Sequence, residues 1–219
     1  MKPTQKFNPL GKARQLQNAF TELTFRDIHL SVSSPVYCPA EDSFLLAKAV
    51  QGFAVGSVLD LGTGSGIQAI VAAKKNEVNH VTAVDLNKIA LSTAQENAKA
   101  NHAEKKIAFV HSNLFENVTG KFDVIVFNPP YVPVEADEKL DDESMAWHGG
   151  ATGRTTLDPF LSTFANYLQP NGTLLLLQSS LNNPEQTITE LKKQGFTTEI
   201  HSTDSFFFEK IFVLVAIRA

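Results

Sequence analysis

The sequence predicts an α/β protein on a mostly parallel seven-stranded sheet with one antiparallel strand. Three observations predict it. From Pro39 onward, short apolar runs alternate with segments of helix length. That alternation yields a parallel sheet covered by helices on both faces. The last two runs, Phe196–His201 and Lys210–Ile217, have no helix between them, so they form a hairpin that turns one strand against the rest. A glycine-rich turn follows the first run of the series, where such folds place a ligand loop.

The elements follow in order. Residues 1–35 read as an amino-terminal extension, with a helix over Ala13–Leu23 and a strand over Ile28–Val32. Residues 36–219 form the main domain. Helix Glu41–Val50 opens it with acidic residues in its first turn. Strand Ser57–Leu61 runs into helix Gly66–Lys75, and strand His80–Asp85 into helix Asn87–Asn101. Strand Ile107–His111 leads by a short turn to strand Phe122–Phe127. A long loop, Asn128–Gly153, precedes helix Thr155–Leu168. Strand Thr173–Gln178 and helix Pro184–Gln194 lead to the final hairpin.

Bulk properties exclude several classes. A chain of 219 residues fits one domain. No apolar run approaches the roughly 20 residues that span a bilayer. The polar first twenty residues or so lack the apolar core of a secretory signal. Cys38 is the single cysteine, which excludes an intrachain disulfide and a cysteine-based zinc cluster. A reducing cytoplasm is the expected home. Net charge is −4 and the lysines are scattered, which argues against a large phosphate-neutralising surface. The six histidines show no ligand spacing, so no metal is implied.

Asp60-Leu61-Gly62-Thr63-Gly64-Ser65-Gly66 is the first chemical motif. Glycines let the backbone turn sharply against a ligand. The helix beginning there points unpaired N–H groups and a positive dipole end toward it. The spacing Gly-x-Gly-x-Gly is not that of dinucleotide binders. Asp85 ends the next strand, about twenty residues on, and is placed to accept both hydroxyls of a ribose. Capping the following helix is its competing role, for which Asn87 also qualifies. Leu86 follows it. Asn113 and Leu114, after the third strand, suit an adenine edge and face, with an ordinary turn as the alternative.

Asn128-Pro129-Pro130-Tyr131 is the second motif, at the end of a buried strand. Asn128 offers a side-chain carbonyl; Pro129 offers a main-chain carbonyl with no N–H of its own. Pro130 restricts the residue before it and fixes that carbonyl's direction. Two fixed acceptors take both hydrogens of a planar –NH₂ group, and Tyr131 stacks on its plane. Paired with the glycine loop, this points to methyl transfer from S-adenosyl-L-methionine to nitrogen, catalysed mainly by positioning.

These residues resemble the HemK-type class I methyltransferases, which are Rossmann-like. Val36-Tyr37-Cys38-Pro39-Ala40-Glu41-Asp42-Ser43-Phe44-Leu45-Leu46 is similar to the segment opening their short, eukaryotic and archaeal branch. So are Trp147-His148-Gly149-Gly150, Gly153-Arg154 and Phe160. The resemblance implies methylation of a glutamine side-chain amide in the Gly-Gly-Gln loop of a translation release factor or a similar ribosome-associated protein. It places Asp42 and Ser43 beside the cofactor or target amide. It implies for Gly149-Gly150 a hinge or a plain loop, and for Trp147 a substrate contact or a loop anchor.

Asn113 departs from the aspartate usual at its position, and residues 1–35 are too short for the helical docking domain of bacterial relatives. The resemblance also admits a small zinc-binding activator along an exposed edge strand, Ile107–Val110. The alternative substrate is a nucleic acid, methylated on an exocyclic purine amino group. The acidic residues Glu135, Asp137, Glu138, Asp141, Asp142 and Glu143 favour a protein.

Overall fold

The computed structural model describes residues 20–134 and 147–218. The acidic stretch just named, and residues 13–19 of the expected first helix, lie outside the described residues.

Residues Phe20–Leu23 of that expected helix are strand instead. Strands β1 (Phe20–Phe25) and β2 (Ile28–Ser33) form an antiparallel hairpin. Ile28, Leu30 and Val32 alternate inward and join the buried core. Two asparagines of a later helix hold β2 by its backbone. Ser31 N–H donates to Asn97 Oδ1 at 2.9 Å, and His29 N–H to Asn101 Oδ1 at 3.0 Å. The hairpin is therefore packed on the domain, where the sequence suggested an appendage. It also delivers Val36 and Tyr37 to the site described below.

The remaining elements alternate as expected. They are α1 (Glu41–Phe53), β3 (Gly56–Leu61), α2 (Ile67–Ala73), β4 (Val78–Asp85), α3 (Lys88–Ala100), β5 (Ile107–His111) and β6 (Phe122–Phe127). Then come α4 (Leu157–Thr163), β7 (Leu168–Ser179), α5 (Pro184–Lys193), β8 (Phe196–Ser205) and β9 (Lys210–Arg218). The seven-stranded sheet has the order β5-β4-β3-β6-β7-β9-β8, with β9 antiparallel to both neighbours.

Helix α4 is shorter than the expected Thr155–Leu168. Leu168 pairs with Phe122 in the sheet, so the chain tightens into a 3₁₀ turn over Phe164–Asn166 first. Strand β8 is longer than expected, because its outer half is a polar, exposed edge whose sequence lacks a buried face.

Two apolar layers sandwich the sheet. The hairpin and α1 to α3 share one with Val58, Val124 and Val213. The other is built on phenylalanines beneath α4 and α5: Phe160 lies against Phe127, Phe115 and Phe164, with centroids 4.6, 5.8 and 5.2 Å away. Removing such a ring costs about 3–5 kcal/mol.

Order reverses between β3 and β6. The chain steps outward from β3 to β4 and β5, then returns to β6 on the other side of β3. Leu61 pairs with both Val84 and Phe127, so three carboxyl ends finish level. A crevice at such a switch point is where open α/β sheets bind ligands.

Candidate active site

A cleft of about 780 Å³ occupies that crevice. Its size falls in the roughly 300–1,000 Å³ range of small-molecule sites. Gly62, Thr63, Gly64, Asp85, Leu86, Asn113, Leu114, Asp42, Ser43 and the whole Asn128–Tyr131 tetrapeptide line it. Asp60 and Gly66 are not among its lining residues; they brace the loop from behind.

The brace is specific. Asp60 is buried and accepts from Thr63 Oγ1 at 2.6 Å and from Ala69 N–H at 3.1 Å. The first turn of α2 thus gives a backbone donor to Asp60, whereas the sequence suggested that its N–H groups face a ligand. Burial pushes the Asp60 carboxyl up to about 7, against the pull of those two donors. Gly64 and Gly66 have φ of 55° and 87°, the left-handed region that favours glycine. A Cβ on Gly66 would also stand 3.0 Å from Ala94 Cα. Asn97 ties this loop to the hairpin: its Nδ2 donates to Ser65 O at 2.9 Å while its Oδ1 holds β2.

Asp85 stands at the end of β4. Its Oδ2 accepts from Gly64 N–H at 2.9 Å and its Oδ1 from Asn87 N–H at 2.8 Å. Burial raises its pKa, and these backbone donors oppose the rise. Helix α3 is capped by Asn87, whose Oδ1 accepts from Ile89 N–H. Asp85 is therefore not the cap and faces the cleft. Leu86 beside it is 59% exposed, an apolar side chain at the cleft wall. Across from it Leu114 is half-buried, and Asn113 Nδ2 donates to Glu116 Oε1 at 3.0 Å.

The opposite wall centres on Asp42, buried at the start of α1. Its Oδ1 accepts from Ser43 N–H at 2.6 Å, Tyr37 O–H at 3.0 Å and Ser43 Oγ–H at 3.2 Å. Its Oδ2 accepts from Asn128 Nδ2 at 2.9 Å and lies 3.5 Å from the Tyr131 hydroxyl. Burial, and next the Asp42 charge, raise both phenol pKa values, so both phenols keep their protons. A carboxylate only accepts, so the Asn128 amide nitrogen must face Asp42 and its Oδ1 must face away. Asn128 Oδ1 is buried and has no donor among the described residues. Buried polar atoms are otherwise nearly always paired.

Trp147 and His148 reach the same wall. Val132 N–H donates to Trp147 O at 3.0 Å and Gly149 N–H to Val132 O at 2.8 Å, so a short backbone ladder fixes them beside Tyr131. Trp147 lines the cleft, and its Nε1 is buried without a partner among the described residues, as are both His148 ring nitrogens. Arg154 anchors the far end of the loop. Buried, it donates to the carbonyls of Asn182 and Asn183, to Thr187 Oγ1 and to Asp158. Sequence reasoning named Tyr37 and Arg154 but assigned neither a role; Tyr37 bonds Asp42 five residues on, while three of the four partners of Arg154 lie 28–33 residues downstream.

The geometry fits S-adenosylmethionine. Asp85 presents a carboxylate able to accept from a diol, Leu86 and Leu114 line the same cleft with apolar side chains, and Asn128 brings a fixed amide to it. A Rossmann-like sheet with these two loops at its switch point defines a class I methyltransferase, a class that takes its methyl group from S-adenosylmethionine.

Comparison with known proteins sharpens the assignment. The methyltransferase small domain model matches residues 39–207, and the chain belongs to that family. It is 45% identical over 192 residues to a protein of Methanocaldococcus jannaschii with the provisional name protein N5-glutamine methyltransferase. That match covers 87% of this chain and 96% of the relative. It is 34% identical to the human methyltransferase HEMK2 over 74% of this chain and 80% of that one. Among solved structures, the E. cuniculi Mtq2–Trm112 complex, responsible for methylating the termination factor eRF1, superposes with a TM-score of 0.64 at 26% identity. That alignment covers 84% of this chain and 99% of the other.

Proposed function

We propose that the protein methylates the side-chain amide nitrogen of a glutamine in a translation release factor or similar ribosome-associated protein, in the cytoplasm. One observation carries the reading: Asn128 Oδ1 is buried, unpartnered among the described residues, and aimed by Asp42. Such an acceptor is complementary to one N–H of a primary amide. The Pro129 carbonyl takes the other.

S-adenosylmethionine supplies an electrophilic methyl on a sulfonium. Asp85 would accept from its ribose, and Leu86, Asn113 and Leu114 would contact its adenine. Gly62, Thr63 and Gly64 line the cleft that would hold it, with Asp60 and Gly66 holding their shape. Asp42 and Ser43 close the wall between donor and target. Asn128 and Pro129 draw the amide protons into the plane and turn the nitrogen's face toward the methyl. Tyr131 packs on that plane. Alignment and electrostatic fit would lower the barrier; the S–CH₃ bond of the sulfonium would break as the N–CH₃ bond forms, leaving a neutral thioether, and the amide proton would pass to water.

The relatives support a protein substrate, since the names of two concern protein glutamine or termination-factor methylation. The named complex with Trm112 also supports a small partner subunit here. The surface for such a subunit is β5, an edge strand whose Phe109 and Val110 are only half-buried. Co-purification of a small zinc-binding protein, lost on Phe109→Lys, tests that part.

The substrate test gives the enzyme methyl-labelled S-adenosylmethionine and a lysate from cells lacking the gene. Protease-sensitive label supports the reading. Nuclease-sensitive label makes the enzyme a nucleic-acid amino-methyltransferase and overturns it.

A further inference from the structure

A second, smaller cavity of about 240 Å³ adjoins the reaction cleft. Tyr37, Asp42, Tyr131 and Trp147 line both, so the two share a wall. Its outer wall is the β8–β9 turn, which contributes Phe206 and Glu209. Phe206 N–H donates to Glu209 O at 2.7 Å and closes that turn. Phe207 and Phe208 project from its tip, 89% and 76% exposed, edge to face with centroids 4.5 Å apart. Paired aromatics in water beside a reaction cleft mark an interaction surface. Trp147 lines both cavities, and its Nε1–H is buried without a partner among the described residues.

We propose that this cavity and the Phe206–Phe208 tip seat the polypeptide segment flanking the target glutamine. The inference rests on the protein-glutamine reading and goes beyond it by naming the docking surface. Trp147 Nε1 donates to a main-chain carbonyl of the segment. Phe207 and Phe208 cover one of its apolar side chains. Glu41, Asp42 and Glu209 line the cavity, and their carboxylates repel a phosphate backbone while admitting a neutral or basic peptide.

The test is steady-state methylation of a purified release factor by the unaltered enzyme and by the F207S/F208S variant. Both side chains are exposed, so the variant should fold. Its KM for the protein should rise about tenfold or more, with kcat at saturation and the S-adenosylmethionine Kd unchanged, and F207L/F208L should recover most of the loss. An unchanged KM overturns the docking role alone. No transfer by the unaltered enzyme overturns the proposed function and this role with it. Nuclease-sensitive label that depends on the same phenylalanines assigns the surface to nucleic acid and also overturns it.

Discussion

The two walls of the cleft are finished to different degrees. On the β3 and β4 side, both carboxylates are satisfied by the chain itself: Asp60 holds Thr63 and Ala69, and Asp85 holds Gly64 and Asn87, while Gln68 Oε1 is buried without a partner among the described residues. On the β6 side, Asn128 Oδ1, Trp147 Nε1 and both His148 nitrogens are buried without partners among the described residues. A buried polar atom left unpaired costs about 1–3 kcal/mol. The first wall is a self-supporting cradle whose shape precedes its ligand. The second keeps its hydrogen-bonding capacity for a molecule that arrives.

Changes on the transfer wall should therefore strike turnover, and changes on the cradle should strike cofactor affinity or stability. The largest effect belongs to Asn128→Ala: a loss of about 10³-fold in kcat, with S-adenosylmethionine affinity within about twofold. Isothermal titration beside a transfer assay checks it, and an active variant refutes the amide role. Next is Asp42→Ala, which frees the Asn128 amide to rotate. A fall in kcat of roughly 10–100-fold is expected, without the total loss of Asn128→Ala, since the acceptor survives but is no longer aimed.

Asp85→Ala should weaken S-adenosylmethionine binding by about 1–3 kcal/mol while leaving kcat at saturation close to normal. Equal affinity would remove Asp85 from the ribose. A separate effect, on stability and not on turnover or cofactor affinity, concerns Asp60. Its folded pKa of about 7 lies above the ordinary 3.8, so between those values the folded state holds a proton that the unfolded state has released. The resulting stability is complete below about pH 4 and is lost as pH rises through 7, with a slope of at most about 1.4 kcal/mol per pH unit. Asp60→Asn should flatten that window in urea melts taken from pH 4 to 8. A slope that persists assigns it to another group.

The same contrast explains what the sequence disclosed. The glycine loop, Asp85 and the tetrapeptide were legible because each is a local pattern at the end of an apolar strand. The seven strands were legible for the same reason. The partner of Asn128 was not, because Asp42 lies 86 residues away and meets it only through the switch-point crevice. The hairpin was obscured because its holding groups, Asn97 and Asn101, sit some seventy residues downstream and look like ordinary helix-surface amides. That one N–H of the first turn of α2, at Ala69, is spent on Asp60 was not legible, because nothing near it in sequence announces that Asp60 bends back to take it.

The central claim is that Asn128 presents the acceptor for a glutamine amide. The most direct test treats a purified release factor with S-adenosylmethionine and either the unaltered enzyme or Asn128→Ala, followed by mass spectrometry of its peptides. The account predicts one added methyl on the amide nitrogen of a single glutamine with the unaltered enzyme, and none with the variant. A methyl on a lysine, an arginine or the main chain, or an undiminished yield with Asn128→Ala, would contradict it.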